Sequence, residues 1–172
     1  MTIHSGHPFA DPDPDPVRRF RGRLGGAVAL VTAGEPDDPQ RHAGLTVSSF
    51  MVANGEPARI LALVDPDSDL AAAVTRTGRA VVQLLAWAHR DLAEAFAGTA
   101  PAPGGPFRAA RFEATGWGPR LADATTWADV TVESAATVGW STLLVLVVDA
   151  VTVGDDDEPL VHRRGRYVRP AP

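Results

Sequence analysis

Thr46, Ser48 and Ser49 place three small hydroxyls within four residues of a stretch, Gly44-Leu45-Thr46-Val47-Ser48-Ser49, that is otherwise apolar. Hydroxyls clustered beside backbone N–H groups can hold an anion such as a phosphate, each charge-assisted hydrogen bond contributing about 1.5–3 kcal/mol. That chemistry matters here because the chain has no lysine and no cysteine: all 16 basic residues are arginine. Disulfides, thiolate metal sites, thiol nucleophiles, Schiff bases and the phosphate-binding lysine of P-loops are therefore excluded. Catalysis falls to His, Asp/Glu, Ser/Thr, Tyr or a borrowed cofactor.

The other reactive side chains show no constellation of their own. His4, His7, His42, His89 and His162 contain no pair at the i, i+4 spacing of a helical zinc site, so no metal is expected. No Gly-x-Ser-x-Gly elbow supports a hydrolytic serine. The run Asp155-Asp156-Asp157-Glu158 reads as an exposed turn, since it lacks the alternating ligands and glycine of a calcium loop. Trp87, Trp117 and Trp127 read as packing residues, whereas Trp140 follows a glycine and precedes Ser141 between two strand-like stretches.

The elements that must position these residues are mainly strands. With 172 residues, net charge −5 and 45% apolar content, the chain suits one globular domain and argues against a nucleic-acid or anionic-membrane surface. Residues 1–16, with the run Asp11-Pro12-Asp13-Pro14-Asp15-Pro16, read as an extended tail without the features of a signal peptide, leaving 17–170 as the domain and the cytoplasm as the expected location. Strands are expected over 27–32, 43–52, 59–64, 79–86, 124–132, 142–153 and 160–168. Ser68 should cap a short helix running to Arg76 and ending at Gly78, and 89–97 should form a second helix. The 142–153 stretch is apolar on both faces over much of its length, as in a strand covered on both sides by barrel, helix or partner subunit. Six or seven strands with two interpolated helices point to a barrel.

Laid in order, the blocks Gly25–Thr32, Gly44–Phe50, Pro57 before Ile60–Val64, Ser68, Thr77–Leu85, Asp91–Phe96, Leu121–Ala124, Val138-Gly139 and Pro159-Leu160 with Tyr167 resemble the flavin reductase family of FMN-binding split barrels. The resemblance implies a mainly β fold, a six-stranded Greek-key split barrel with a few short helices. It also implies a homodimer holding FMN or FAD, with NADH or NADPH passing hydride to the flavin, and admits a separate monooxygenase as consumer of the reduced flavin. By position in the family pattern, Thr46, Val47, Ser48 and Ser49 would line the flavin, Leu63, Val64 and Ser68 would complete its pocket, and His89 would face the phosphate. Arg41, Arg76 and Arg90 are candidate sources of positive charge.

One departure concerns the nicotinamide side. Where the family commonly has Gly-Asp-His, this chain has Gly139-Trp140-Ser141, so Trp140 and Ser141 take that place and a stacking role for the indole replaces the histidine. A flavin-binding module without reductase turnover fits the same departure, and a pyridoxamine-phosphate-oxidase-like or deazaflavin-dependent oxidoreductase shares the barrel.

Overall fold

The structure, a computed structural model, describes residues 15–155 and 158–170. His4, His7, the tail up to Pro14, and Asp156 and Asp157 of the acidic run lie outside the described residues. Helix α1 (Pro16–Leu24) begins where the extended tail was expected to end. The Asp15 carboxylate accepts the Val17 N–H at 2.9 Å, and Pro16 takes the first helical position, where its missing N–H costs nothing. The Asp-Pro repeat thus finishes as a helix start. No helix among the described residues is long and apolar enough to cross a membrane.

Seven strands build the main sheet: β2 (Ala29–Ala33), β3 (Ala43–Val47), β4 (Phe50–Ala53), β5 (Arg59–Val64), β6 (Arg79–Leu84), β9 (Trp127–Val138) and β10 (Ser141–Thr152). Their order is β3-β2-β6-β9-β10-β5-β4, with every neighbour antiparallel. The two edge strands, β3 and β4, are consecutive in the chain and joined only by Ser48 and Ser49. Two residues span no more than about 10 Å from flanking Cα to flanking Cα, so the sheet must curl until its edges meet. That closure makes the half-barrel.

The expected single strand over 43–52 is two strands, because the chain leaves β2 after Val47 and pairs with β5 from Phe50 onward. The split gives the main sheet seven strands, against the six-stranded barrel that the resemblance implies. β5 matches the expected 59–64, whereas β9 runs six residues past the predicted end at Val132. Short strands β1 (Gly26–Ala27), β11 (Val161–Arg163) and β12 (Arg166–Val168) form a small flanking sheet, so the expected 160–168 strand is a hairpin turned at Arg164-Gly165. A second hairpin, β7 (Phe112–Ala114) and β8 (Pro119–Leu121), was not foreseen.

Helix α2 (Asp69–Thr77) has Ser68 as N-cap and left-handed Gly78 as C-cap, as expected; α3 (Arg90–Ala97) follows a 3-10 turn at Trp87–His89. Strand alternation sorts the apolar residues into two cores. Ala29, Val31, Val47, Ala62, Val64, Val82, Val130 and Leu146 fill the barrel with Leu70 and Val74 of α2. Val28, Leu30, Leu85, Leu92, Phe96, Leu121 and Leu160 form the second core, under α3 and the hairpins. A Cβ on Gly44 would lie 2.6 Å from the Phe96 ring, so only glycine lets α3 pack this closely on β3. The outer face of β10 is not covered within the chain: Leu143 and Val145 are half-buried and Val151 is exposed, so of the covers expected for 142–153 the chain itself supplies only the barrel side.

Candidate functional site at the Ser48–Ser49 link

The link is held on both sides. Val47 pairs with Ala29, and the Ser49 carbonyl accepts the Leu63 N–H at 2.9 Å. Ser48 is exposed and Ser49 half-buried. Neither hydroxyl has a hydrogen-bond partner among the described residues, and neither backbone N–H enters a loop or turn hydrogen bond. Half-buried Ser141 and Thr142 are likewise without a side-chain partner among the described residues, so Ser48, Ser49, Ser141 and Thr142 are the hydroxyls open to a ligand near this end of the barrel.

Thr46 is a different case. Its hydroxyl donates to the Ala93 carbonyl at 2.7 Å, binding β3 to α3. The expected row of three free hydroxyls is therefore two, because strand alternation turns Thr46 toward the helix. Val47 and Val64 are buried in the barrel core, so at the link they can offer backbone atoms only. Leu63, 38% exposed, points to the other face.

Ser68 spends its side chain on its own loop, donating to the Asp65 carbonyl at 2.6 Å and accepting the Ala71 N–H at 3.2 Å. With Asp67 N–H bound to the Asp65 carboxylate at 2.9 Å, the turn after β5 is rigid. Across the sheet Leu63 pairs with Leu143 and Val64 with Thr142, which places Ser141 and Trp140 just beyond. Gly139 has φ +58° and Trp140 a negative φ, the pattern of a two-residue type II′ hairpin, and Trp140 at its second position is 97% exposed.

Helix α3 runs against β3 with Phe96 at Gly44 and Ala93 at Thr46, so its first turn reaches toward Ser48. His89 lies there with both ring nitrogens engaged: Nδ1 accepts the Ala86 N–H at 3.0 Å, and Nε2 faces the Asp123 carboxylate at 3.2 Å. An Nδ1 that accepts leaves the proton on Nε2, the tautomer that donates to Asp123. Asp123, 34 residues away in sequence, was not foreseen as its partner. Arg90 sits over the Trp87 ring at 5.2 Å, whereas Arg76 is committed to Glu35 at 3.0 and 3.2 Å; Arg41 is exposed. By register and helix direction Thr46, Val47, Leu63, Val64, Trp140, Ser141 and His89 lie toward the end of the barrel that the link closes, whereas Arg41 and Arg76 lie at the opposite end of β3, where Arg76 also donates to the Arg41 carbonyl at 3.2 Å.

No group of three metal-ligating side chains occurs among the described residues. A cleft of about 390 Å³ lies between α3 and residues 100–109 and contains none of the predicted residues.

Residues 21–171 match the family described as flavin reductase like domain. The chain belongs to this family. It is 32% identical over 156 residues to the FMN reductase (NADH) RutF of Stutzerimonas stutzeri, covering 87% of this chain and 84% of that protein. A RutF 1 of Methylorubrum extorquens is 29% identical over 173 residues, 97% of this chain and 81% of the relative. Among solved structures, the flavin reductase PheA2 superposes with a TM-score of 0.81 at 21% identity over 93% of this chain and 99% of that one. The styrene monooxygenase flavin reductase of Pseudomonas putida S12 gives 0.78 at 24% identity, covering 92% and 99%. The curled sheet described above is thus the flavin reductase fold.

Proposed function

We propose that the protein is an NADH-dependent FMN reductase with its flavin seated at the Ser48–Ser49 link. The observation that carries the reading is the pair of unpartnered hydroxyls at the one point where the barrel edges meet, in a member of this family. The link fits a flavin by chemistry: Ser48 and Ser49 donate to the oxygen- and nitrogen-rich edge of the ring, while Leu63 offers an apolar surface to its face. The first turn of α3, with His89 and Arg90, faces the phosphate end. Thr46, Val47, Val64 and Ser68 act behind these groups by fixing β3, β5 and the turn after β5.

When bound, the flavin supplies the hydride-accepting ring, and the chain's task is geometric. Reacting atoms must be held about 3–3.5 Å apart and aligned. The short link, tied at Val47 and Leu63, gives the two serines little freedom. Trp140, at the tip of its hairpin and beside Ser141, is placed to cover the opposite ring face with its indole. No general acid or base is required for hydride transfer between rings, in keeping with a site whose one titratable ring, His89, is tied to Ala86 and Asp123.

Met51, Leu61 and Val145 line up across β4, β5 and β10, and Leu63 and Leu143 repeat the pattern, giving an apolar outer face with Met51 67% exposed. A homodimer that buries this face accounts for it. The reading places the protein in the cytoplasm, where NADH is produced, with a separate monooxygenase as consumer of the reduced flavin.

Absorbance spectra of the purified protein before and after adding FMN and NADH test the reading. Flavin binding with rapid NADH oxidation is the expected result, with Ser48→Ala/Ser49→Ala weakening FMN binding by roughly ten- to a hundredfold, two hydrogen bonds at about 1 kcal/mol or more each. FMN binding without NADH oxidation would leave a binding module, and no binding would refute the site.

A further inference from the structure

Charge is segregated in this chain. Arg18, Arg19, Arg21 and Arg23 lie on α1 and four more arginines on or beside the β11–β12 hairpin, so residues 15–27 and 158–170 hold eight of the sixteen arginines against two carboxylates, Asp15 and Glu158, with Asp11 and Asp13 preceding the first stretch in sequence and Asp155, Asp156 and Asp157 the second. The rest of the chain has eight arginines and nineteen acids. The helix and the hairpin form one surface: Arg164 N–H donates to the Gly22 carbonyl at 2.7 Å, and the Arg163 side chain passes beside Gly25. Arg21 lies close enough to His162 to help hold its imidazole below the usual range, after burial as the main cause. Among the described residues none of the four α1 arginines is in an ion pair.

This pole borders the site. Gly26 pairs with His162 and Ala29 with Val47, so the hairpin and the end of β3 pair with positions about 10 Å apart on one continuous stretch of backbone. On its other flank the Trp87 N–H donates to the Glu158 carbonyl at 2.7 Å, Glu158 pairs with Arg169, and Arg90 covers Trp87. The substrates of a flavin reductase carry phosphate or pyrophosphate, and an overall charge of −5 repels them. A local positive pole beside the site reverses that field where it counts, since such patches raise association rates by about 10- to 1000-fold at low ionic strength. The Debye length falls from about 30 Å at 0.01 M salt to about 10 Å at 0.1 M, so the effect of the pole is read by varying ionic strength.

We propose that the arginine pole of α1 and the β11–β12 hairpin is the electrostatic entry surface for the phosphate-bearing substrates of this enzyme, a proposal that rests on the reductase reading above. The test compares FMN with riboflavin, which has the same ring and no phosphate. NADH oxidation at saturating NADH is followed between 10 and 300 mM KCl for the full-length wild type, for Arg18→Gln/Arg19→Gln/Arg21→Gln/Arg23→Gln, and for Arg163→Gln/Arg166→Gln, whose positions are exposed and whose folding is checked by circular dichroism. The expected result at 10 mM KCl is a five- to twentyfold loss of kcat/KM for FMN in either variant, no change for riboflavin, and disappearance of the difference at 300 mM. Equal loss for both flavins, or no loss for FMN in a folded variant, overturns the proposal. A wild type that oxidises NADH with neither flavin overturns the reductase reading itself, before any variant is compared.

Discussion

The Gln83 side chain donates from Nε2 to the Thr32 hydroxyl at 3.0 Å with neither residue exposed to solvent. Its Oε1 accepts the Leu121 N–H at 2.6 Å, and Thr32 in turn donates to the Pro119 carbonyl. One buried amide therefore ties β2, β6 and β8 together, with every polar atom of the relay matched except one amide hydrogen.

Gln83→Leu keeps the volume but leaves the Leu121 N–H buried without its acceptor. The expected cost is about 1–3 kcal/mol, seen in thermal melts as a lower Tm by roughly 2–4 °C per kcal/mol for a chain of this size. An unchanged Tm would mean that water or a shifted backbone takes over the N–H.

Gly44→Ala drives a methyl into the Phe96 ring, whose Cε1 stands 2.6 Å from the new Cβ. Phe96 cannot retreat freely, because Phe107 meets it edge-on at 4.9 Å and Phe112 at 5.9 Å. Overpacking of about 1–3 kcal/mol is expected in denaturant titrations. Since α3 also holds Thr46 through Ala93, FMN affinity should fall with stability, whereas the same change at exposed Gly116, where a Cβ meets nothing, should leave both intact.

Local signals were readable in the sequence and remote ones were not. The Ser68 cap, the Gly78 stop and β5 each depend on neighbours within a few residues, and all three lie where the pattern put them. The break at Ser48-Ser49 is set instead by a change of pairing partner from β2 to β5, which no periodicity reveals. The start of α1 was hidden because Asp15 and Pro16 continue an Asp-Pro run that reads as extended chain. At the site, the ordered family-like blocks singled out Ser48 and Ser49 without showing that the strand breaks there, and Thr46 answers to a carbonyl 47 residues away, His89 to a carboxylate 34 residues away. Net charge misled in the same way: an average of −5 concealed an arginine pole that only folding assembles.

Asp129 titrates in the opposite sense to an ordinary paired carboxylate. Burial, reinforced by the nearby Asp149 and opposed by Arg120, raises its pKa above the model-peptide range, and its Oδ1 has no hydrogen-bond partner. Asp149 does not relieve it, being engaged by Trp117 Nε1 at 2.8 Å and Thr131 Oγ1 at 2.6 Å. A raised folded-state pKa means that the native state favours the proton, so ionised Asp129 opposes folding at neutral pH and the penalty fades as pH falls through its folded value toward 3.8. Asp129→Asn should stabilise the protein at pH 7 by less than about 1 kcal/mol, solvent screening being substantial at this partly exposed position, and should lose that advantage near pH 4. A variant less stable than wild type at pH 7 would contradict the assignment.

Trp140 separates folding from function because its side chain is 97% exposed. Its position in the type II′ turn needs only a residue with negative φ, so Trp140→Ala removes no packing and should leave Tm unchanged. If the indole covers the ring face left open above the link, its loss removes an aromatic contact of about 0.5–1.5 kcal/mol. That corresponds to a two- to twelvefold rise in KM for NADH or FMN, with Trp140→Phe recovering most of it. Ser141→Ala, next in the chain but half-buried at the start of β10, serves as the local comparison. A KM unmoved in Trp140→Ala at unchanged stability would remove this residue from the site and leave Ser48, Ser49 and Leu63 to hold the flavin without a cover on its second face.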